Sequence, residues 1–228
     1  MHANRPIVGG YSADGRPSST IFYWSHSVFS DDFEFGLHPH EGFEIATFVL
    51  EGASSHYDTA NKLWVALTAG DVQVIRAGRG IAHNERVAKR TRAFQLWFDP
   101  DYHTALKREP SYSDYGAEQF SARTDGHSSI RDLIGGSGPV RVETERLTVR
   151  RAAMGRSGRL ELPLAVNAYS VAYVIAGDAT IAGHRVVAND AVTVAGGASL
   201  SMDATSAIDI FVVSVPAVPS YQPVRRRR

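Results

Sequence analysis

Four side chains that could bind a metal ion occur in this sequence as two pairs with the same spacing. His38 and His40 are two residues apart, and so are His83 and Glu85. In a β-strand, residues i and i+2 project to the same face, so each pair would present two donor atoms on one side of a strand. Three imidazole nitrogens and one carboxylate oxygen suit a divalent iron, manganese, nickel, copper or zinc ion. We therefore predict a metal site made of these four residues.

The segments beside both pairs have the composition of β-strands. Residues 45–50 follow the first pair and residues 72–75 precede the second, and both segments are rich in β-branched and aromatic side chains. Gly78 and Gly80 are expected to bend the chain so that the second pair points inward. A single His-x-His pair could equally be a hydrogen-bonded surface feature. Two matched pairs, each beside a strand, favour the metal site.

Three further polar residues lie an even number of residues from another polar residue of the same predicted strand. Glu44 is four residues from His40 and six from His38, so an unbroken strand would turn all three toward the same interior. Its carboxylate could then ligate the metal, contact a ligand as a base, or be a buried acid paired with another polar group. His56 and Asp58 also share a face. Because they flank a predicted turn, we expect them to form hydrogen bonds near the rim of a barrel.

The composition of the 228 residues excludes several classes of protein. The chain is 43% hydrophobic and 21% charged, with a formal net charge of +0, so no overall field attracts nucleic acid or acidic lipid. It has no cysteine, which excludes thiolate ligands and disulfides. The first residues lack the apolar core of a signal peptide, and no run of about 18 apolar residues could span a membrane. We expect a cytoplasmic protein that does not contact membranes.

The chain ends in four arginines, Arg225–Arg228. A basic block can bind phosphates, but such an end is more often solvated. On a domain of zero net charge, this tail is weak support for nucleic-acid binding, and we do not expect direct binding.

The second half of the chain repeats the pattern of the first half without its donor residues. Residues 172–177 align with residues 47–52, and residues 187–194 align with residues 68–75. Carried along the chain, the alignment matches the four donor positions, in order, with Pro163, Ala165, Met202 and Ala204. Each half is a run of short strands between turn signals, which is typical of an antiparallel sandwich or barrel. We predict an all-β protein of two tandem barrels, of which only the first binds metal.

The two donor stretches resemble the N-terminal signature of the pirin branch of the cupin superfamily. The shared motifs are HPH-x-GFE, an apolar strand ending in EG, GDVQ, and AGRGI-x-H-x-E. The resemblance implies a bicupin, which is two tandem cupin barrels of the double-stranded β-helix or jelly-roll type. The predicted domains are an N-terminal metal-binding barrel (residues 1–100), a linker with loops (101–138) and a C-terminal barrel without metal ligands that carries the basic tail (139–228).

The resemblance also implies a site and a reaction. Cupins in general take a carboxylate ligand from the position of Glu44, whereas the pirin branch takes it from the position of Glu85. We therefore place Glu85 first, as ligand and catalytic base, and Glu44 beside the site. The implied cofactor is one divalent metal, with Fe(II) ahead of manganese, nickel, copper or zinc. The implied reaction is that of a quercetin 2,3-dioxygenase, which opens a flavonol ring with O2. A small aromatic or enolic substrate is therefore expected.

Two alternatives remain open at this stage. Pirin-like proteins also include regulators that bind a transcription factor or an enzyme and respond to metal or redox state, so a protein partner is a second hypothesis. A storage or structural cupin with an incidental metal is a third, because a fold does not fix a function. The sequence also departs from the family at Glu41, where an arginine is usual after HPH. A negative charge beside the site would alter which acidic or phenolic substrates are accepted.

Overall fold

The structure, a computed structural model, describes residues 1–224, and the predicted basic tail Arg225–Arg228 lies outside the described residues. Strands dominate the described chain, and every pair of named strands is antiparallel. The predicted all-β class is confirmed. No helix within residues 1–224 is long and apolar enough to cross a membrane.

The first of two compact units comprises Met1–Gln119, Val142–Thr144 and the described residues from Tyr221 onward. Its elements, in chain order, are β1 (His2–Val8), β2 (Tyr11–Ser12), β3 (Ile21–Val28), β4 (Phe33–Glu34), β5 (His38–His40), β6 (Glu44–Glu51), β7 (Ala53–Asp58), β8 (Trp64–Thr68), β9 (Val72–Arg76), β10 (Ile81–Val87), β11 (Arg92–Phe98), α1 (Tyr102–Ala105), β12 (Ser111–Tyr115) and a 3-10 turn (Ala117–Gln119). One sheet has the strand order β12-β9-β6-β11-β3-β1-β2, and the other has the order β4-β10-β7-β8 with β5 also paired to β10.

The second unit comprises Phe120–Arg141 and Glu145–Ser220. Its strands are β13 (Ala122–Asp125), β14 (Ser128–Ile134), β15 (Thr148–Met154), β16 (Arg159–Pro163), β17 (Ala168–Ala176), β18 (Ala179–Ile181), β19 (His184–Val186), β20 (Ala191–Ala195), β21 (Ser199–Ala204) and β22 (Ile208–Pro216). The two sheets of this unit have the orders β13-β14-β15-β22-β17-β20 and β16-β21-β18-β19.

Residues 101–138, expected as a linker with loops, contain regular structure instead. Helix α1 and strand β12 belong to the first unit, and β13 and β14 belong to the second. The composition of this segment is polar, which favoured a loop, but Tyr112 and Tyr115 lie in a strand that pairs with β9 along its whole length. Pairing with an apolar neighbour therefore outweighed the local composition.

The same type of strand lies at the centre of each unit. β6 and β17 are each hydrogen-bonded on both edges and buried along almost their whole length. Their sequences, EIATFVLE and AYSVAYVIA, are rich in the β-branched and aromatic residues that suit a strand covered on both faces. The predicted alignment of these two segments therefore corresponds to equivalent elements of the two units.

The strand pairing corrects one part of the predicted alignment between the halves. In the first unit, His83 lies opposite His38 and Ile81 lies opposite His40. In the second unit, Met202 lies opposite Leu160 and Leu200 lies opposite Leu162.

The residues equivalent to the first histidine pair are therefore Leu160 and Leu162, not Pro163 and Ala165. The alignment was carried across a connection whose length differs between the units. Leu160, Leu162 and Met202 all lie in the apolar core of the second unit.

Glu44 does not face the histidines, contrary to the expectation of an unbroken strand. The chain leaves β5 after His40 and begins β6 at Glu44, and Gly42 between them adopts φ +74°, which favours glycine. The neighbours Phe43 and Ile45 pack in the interior, so Glu44 projects to the opposite face. The break between β5 and β6 means that Glu44 no longer alternates in register with His38 and His40, so the expected shared face is lost.

The buried Glu44 carboxylate instead holds a short segment of the same unit. It accepts hydrogen bonds from the backbone N–H groups of Glu143 and Thr144, both at 2.8 Å, and from Thr144 Oγ1 at 2.6 Å. Arg76 Nε lies 3.6 Å from it. Burial raises the pKa of Glu44, against the opposing effect of these hydrogen bonds. Glu44 was predicted to be a metal ligand, a base that contacts a ligand, or a buried acid paired with polar groups. These contacts match the third role.

Glu44→Ala is expected to lower the free energy of unfolding by about 3 kcal/mol, because it leaves two buried N–H groups and a hydroxyl without an acceptor. Thr144→Val removes only the hydroxyl bond and should cost about 1 kcal/mol. Glu41→Ala is the matched control, because this exposed carboxylate should change stability by less than about 0.5 kcal/mol. Urea denaturation followed by circular dichroism measures all three. Equal losses for Glu41→Ala and Glu44→Ala would contradict the assignment.

Candidate metal centre

The pairing of β5 with β10 brings the three predicted histidine ligands together. His38 lies directly opposite His83, and His40 lies two residues further along the same face of β5. Pro39 between them donates no backbone hydrogen bond, which suits a short strand of three residues. The local two-residue spacing and the pairing of distant strands are both needed to form the cluster.

The three imidazole rings converge on one point. Ring centroids are 4.9 Å apart for His38 and His40, 4.3 Å for His38 and His83, and 4.9 Å for His40 and His83. One nitrogen of each ring lies within 4.8 Å of the others. His83 is buried, and the other two rings are half-buried. The structure thus brings together three of the four predicted ligands.

The donor atoms fit a transition-metal ion. His40 Nε2 and His83 Nε2 are 3.0 Å apart, and two nitrogens that bind one ion at about 2.1 Å and at right angles would be separated by about 3.0 Å. His38 Nδ1 lies 2.8 Å from the carbonyl oxygen of Gly36. A backbone carbonyl on the outer nitrogen is the usual way in which a ligating histidine is oriented. This bond leaves Nε2 of His38 for a metal.

The electrostatics of His83 also suit a ligand. Burial, followed by the nearby His38, His40 and His56 rings, lowers the pKa of His83 to about 2. The ring is therefore neutral at pH 7, and a neutral imidazole has the lone pair that a metal requires.

Glu85 is buried beside the cluster but is not among the three clustered donors. Its carboxylate accepts hydrogen bonds from Gln73 Nε2 at 3.1 Å and from Gln95 Nε2 at 3.0 and 3.2 Å. Burial raises the pKa of Glu85, while Gln95, His38 and Gln73 oppose this effect. Glu85 lies on the same face of β10 as His83, which is compatible with binding to the same ion. Its role as the fourth ligand stays a prediction.

His56 and Asp58 form the expected hydrogen bond, but they lie in the interior and not at the rim. His56 Nε2 and Asp58 Oδ2 are 3.0 Å apart, and the two side chains are about 1% exposed. The ring of Tyr112 stacks on His56, with centroids 4.5 Å apart and planes inclined by 11°. The His56 ring centroid lies 5.4 Å from that of His83. Burial lowers the pKa of His56 against the effect of Asp58, so this ring is neutral at pH 7.

A cavity of about 880 Å³ lies against the histidine cluster. His40 forms part of its wall, and its apolar lining includes Phe22, Tyr23, Phe43, Ile81 and Trp97.

Trp97 is the central aromatic residue of this lining. Its ring centroid lies 4.5 Å from Tyr23, 5.3 Å from Phe43 and 5.4 Å from His40. Its indole N–H donates to Gln95 Oε1 at 3.0 Å. Trp97 therefore connects the cavity with the amide that holds Glu85.

Glu41, which departs from the family signature, also lines the cavity. Its carboxylate accepts a hydrogen bond from the hydroxyl of Tyr102 at 3.3 Å. The side chain is exposed, so its charge is in contact with solvent.

Sequence reasoning missed four residues around this site: Gln73, Gln95, Trp97 and Tyr112. Gln73 was visible within the GDVQ motif, and its parity with Ile75 indicated an inward direction. Gln95 and Trp97 lie on the face of β11 opposite to the buried Phe94, Leu96 and Phe98, so parity gave no such signal for them. Tyr112 had no such signal, because β12 was expected to be a loop.

Comparison with known proteins agrees with this geometry. Residues 16–98, which include all four predicted ligands, match the Pirin family model. A Pseudomonas aeruginosa protein that is provisionally named quercetin 2,3-dioxygenase is 31% identical over 199 residues, which cover 84% of this chain and 82% of the relative. The quercetin 2,3-dioxygenase of Escherichia coli K12 is 27% identical over 188 residues, which cover 81% of this chain and 77% of the relative.

Solved structures share the fold across both units. A quercetin 2,3-dioxygenase from Acinetobacter baumannii superposes with a TM-score of 0.81 at 20% identity, covering 93% of this chain and 73% of that one. A bacterial pirin from Escherichia coli in complex with nickel(II) superposes with a TM-score of 0.78 at 22% identity, covering 95% and 92%. The predicted fold of two tandem cupin barrels is confirmed, and this chain belongs to the pirin family.

Proposed function

We propose that this protein is a metal-dependent dioxygenase of the quercetinase type, which opens the ring of a flavonol or a related enol with O2. The observation that carries the proposal is the three-histidine cluster, of which His40 forms part of the wall of an aromatic-lined cavity. Relatives named as quercetin 2,3-dioxygenases support the same activity. The cavity volume lies within the range of roughly 300–1,000 Å³ that is typical of small-molecule sites.

His38, His40 and His83 would hold one divalent metal ion, and Glu85 would supply a fourth, anionic ligand. A bound ion of this kind would act as a Lewis acid for the oxygen of an enolic substrate and as a partner for dioxygen. Fe(II) is our first candidate because its common sites combine histidines with a carboxylate. The nickel(II) complex of the Escherichia coli pirin supports a divalent metal at this type of site.

Glu85 would also be the base that removes the proton of the substrate hydroxyl. Burial raises its pKa, so the ionised carboxylate accepts a proton more readily than an exposed one. The amides of Gln73 and Gln95 donate to it and would keep it oriented while it does so. Water would be kept from the substrate by the aromatic walls of the cavity.

The aromatic walls would bind a flat, largely apolar ring system. Trp97, Phe43 and Tyr23 present ring faces and edges on one side of the cavity, and aromatic pairs add about 0.5–1.5 kcal/mol beyond the area that they bury. Glu41 at the cavity would disfavour substrates that carry a negative charge close to it.

Metal content is expected to depend on the histidine cluster. We predict about one equivalent of a divalent transition metal in the purified protein by elemental analysis, and less than about a tenth of this in His38→Ala and His83→Ala, because each substitution removes one of the three clustered donors. His103→Ala is the matched control, because this histidine is exposed and outside the cluster. Circular dichroism should show the fold retained in all variants. Unfolding of the cluster variants would contradict a role limited to metal binding.

The same samples test the reaction. Dioxygen uptake with quercetin should occur in the metal-loaded wild type and fail in Glu85→Ala, which removes both the base and the fourth ligand. A fully loaded protein that takes up no dioxygen would refute the dioxygenase and favour a regulatory protein. A wild type without metal would refute the site itself.

Trp97→Leu is expected to lower kcat/KM for the flavonol by about 10- to 100-fold, because it removes the central aromatic wall at a cost of about 1–3 kcal/mol. Metal content should stay the same. Trp64→Leu is the matched control, since Trp64 is 40% exposed and packs under the guanidinium of Arg86, away from the cavity. Steady-state dioxygen uptake measures both. An equal loss in Trp64→Leu would show that the effect is not specific to the cavity.

A further inference from the structure

A buried polar cluster lies next to His83 and has no part in the reaction proposed above. Strand β7 places Asp58 opposite His83 and His56 opposite Glu85. The side chains of His56 and Asp58 are about 1% exposed. Polar groups this deeply buried are costly unless they are paired, so a hydrogen-bonded histidine and aspartate in this position call for a specific reason.

Asp58 determines which nitrogen of His56 carries the proton. The backbone N–H groups of Ala60 and Asn61 donate to Asp58 Oδ1 at 2.9 and 2.6 Å. Asp58 Oδ2 lies 3.0 Å from His56 Nε2. A carboxylate that receives these donors is an acceptor, so Nε2 of the neutral ring carries the hydrogen. Nδ1 of His56 is therefore a hydrogen-bond acceptor.

Nδ1 of His83, in contrast to Nδ1 of His56, is expected to be a hydrogen-bond donor. Its Nε2 faces His40 Nε2 at 3.0 Å, which makes Nε2 the atom directed to a metal. When Nε2 binds a metal, Nδ1 of the same ring must carry the hydrogen and acts as a donor. His83 Nδ1 thus complements His56 Nδ1.

Neither Nδ1 atom has a hydrogen-bond partner within residues 1–224, and both atoms are buried. The hydroxyl of Tyr112 and Oε1 of Gln73 are likewise buried without a partner in that part of the chain. Tyr112 stacks on the His56 ring, and Gln73 donates to the neighbouring Glu85. The His56 and His83 rings are 5.4 Å apart between centroids. Such a set of donors and acceptors suits one buried water, which needs two to four polar partners.

We propose that one buried water joins Nδ1–H of His83 to Nδ1 of His56, and that the Asp58–His56 pair thereby orients His83 as a metal ligand. His56 and Asp58 are then positioning residues, and the turn at residues 58–61 anchors them. The inference rests on the proposed metal site but not on the proposed reaction.

The second unit supports this grouping. By strand pairing, the positions equivalent to His83, Asp58, Glu85 and His56 are Met202, Ile181, Ala204 and Ala179. All four lie in the apolar core of that unit. The unit that lacks the histidine ligands therefore also lacks the polar pair, as expected if the pair serves the ligands. A pair needed only for the fold would have no reason to follow them.

Asp58→Asn is the sharpest test, because it keeps the shape and reverses the hydrogen bonding. The backbone donors at residues 60 and 61 should keep the amide oxygen, so the amide N–H2 faces His56 Nε2 and forces the hydrogen onto Nδ1. His56 would then present a donor toward the donor on His83. We expect Co(II) affinity, measured by competition with a chelator, to fall about 10- to 100-fold. The visible spectrum of bound Co(II) should also change.

Glu44→Gln is the matched control, since it also converts a buried carboxylate of the same unit into an amide, but it contacts no ligand. Its Co(II) affinity and spectrum should equal those of the wild type, whatever its stability. His56→Gln, which loses the acceptor at Nδ1, should behave like Asp58→Asn.

The outcomes separate this inference from the proposed function. Wild-type affinity and spectrum in Asp58→Asn would overturn the positioning role, and so would an equal loss in Glu44→Gln, which would indicate general destabilisation. Tight Co(II) binding by the wild type without flavonol turnover would refute the reaction and leave the positioning role supported by the variants. A wild type that binds no Co(II) would overturn both.

Discussion

The structure of the site depends on the antiparallel pairing of β5 with β10. This pairing sets His38 directly opposite His83, and the two-residue period of a strand then adds His40 on one side and Glu85 on the other. A shift of one residue in the register would turn one pair of donors to the opposite face. Because β5 has only three residues, it contributes few backbone hydrogen bonds of its own. The longer β10 also pairs with β7 along five residues, which fixes His83 and Glu85 within the sheet.

Gly42 separates the strand that carries the first two histidines from the strand that begins at Glu44. Before it, His38 and His40 belong to the sheet that carries the metal site; after it, Glu44 belongs to the other sheet and holds residues 143 and 144. The positive φ of this residue, +74°, and the ring of Tyr102 at the place of a Cβ atom explain why glycine is needed. Two acidic residues only three apart, Glu41 and Glu44, thus have unrelated roles, one exposed at the cavity and one buried.

Local periodicity was enough to predict that His38 and His40 share a face, because residues two apart point to the same side of any strand. It was not enough for Glu44, because parity holds only while a strand is unbroken, and the glycine in HPHEGFE was the signal that it breaks. The partners of Glu85 lie on β9 and β11 of one sheet, whereas Glu85 lies on β10 of the other sheet. Parity could therefore mark Gln73 as inward-facing, but it could not identify either glutamine as a partner. The alignment of the halves identified Met202 and Ala204 and missed Leu160 and Leu162, since strand pairing, and not sequence distance, defines equivalence.

The two units have the same fold but differ in the polarity of the side chains that fill their interiors. Within residues 120–141 and 145–220, the buried polar residues are three serines, Ser128, Ser170 and Ser214, whereas the first unit buries histidine, aspartate, glutamate and glutamine side chains. Each such group costs about 1–3 kcal/mol if its hydrogen bonds are not made. The first unit meets this cost through pairs such as Asp58 with His56 and Glu85 with Gln95. A metal bound to the three imidazoles would use their remaining lone pairs, so the ion would complete the interior of the first unit as the apolar side chains complete that of the second.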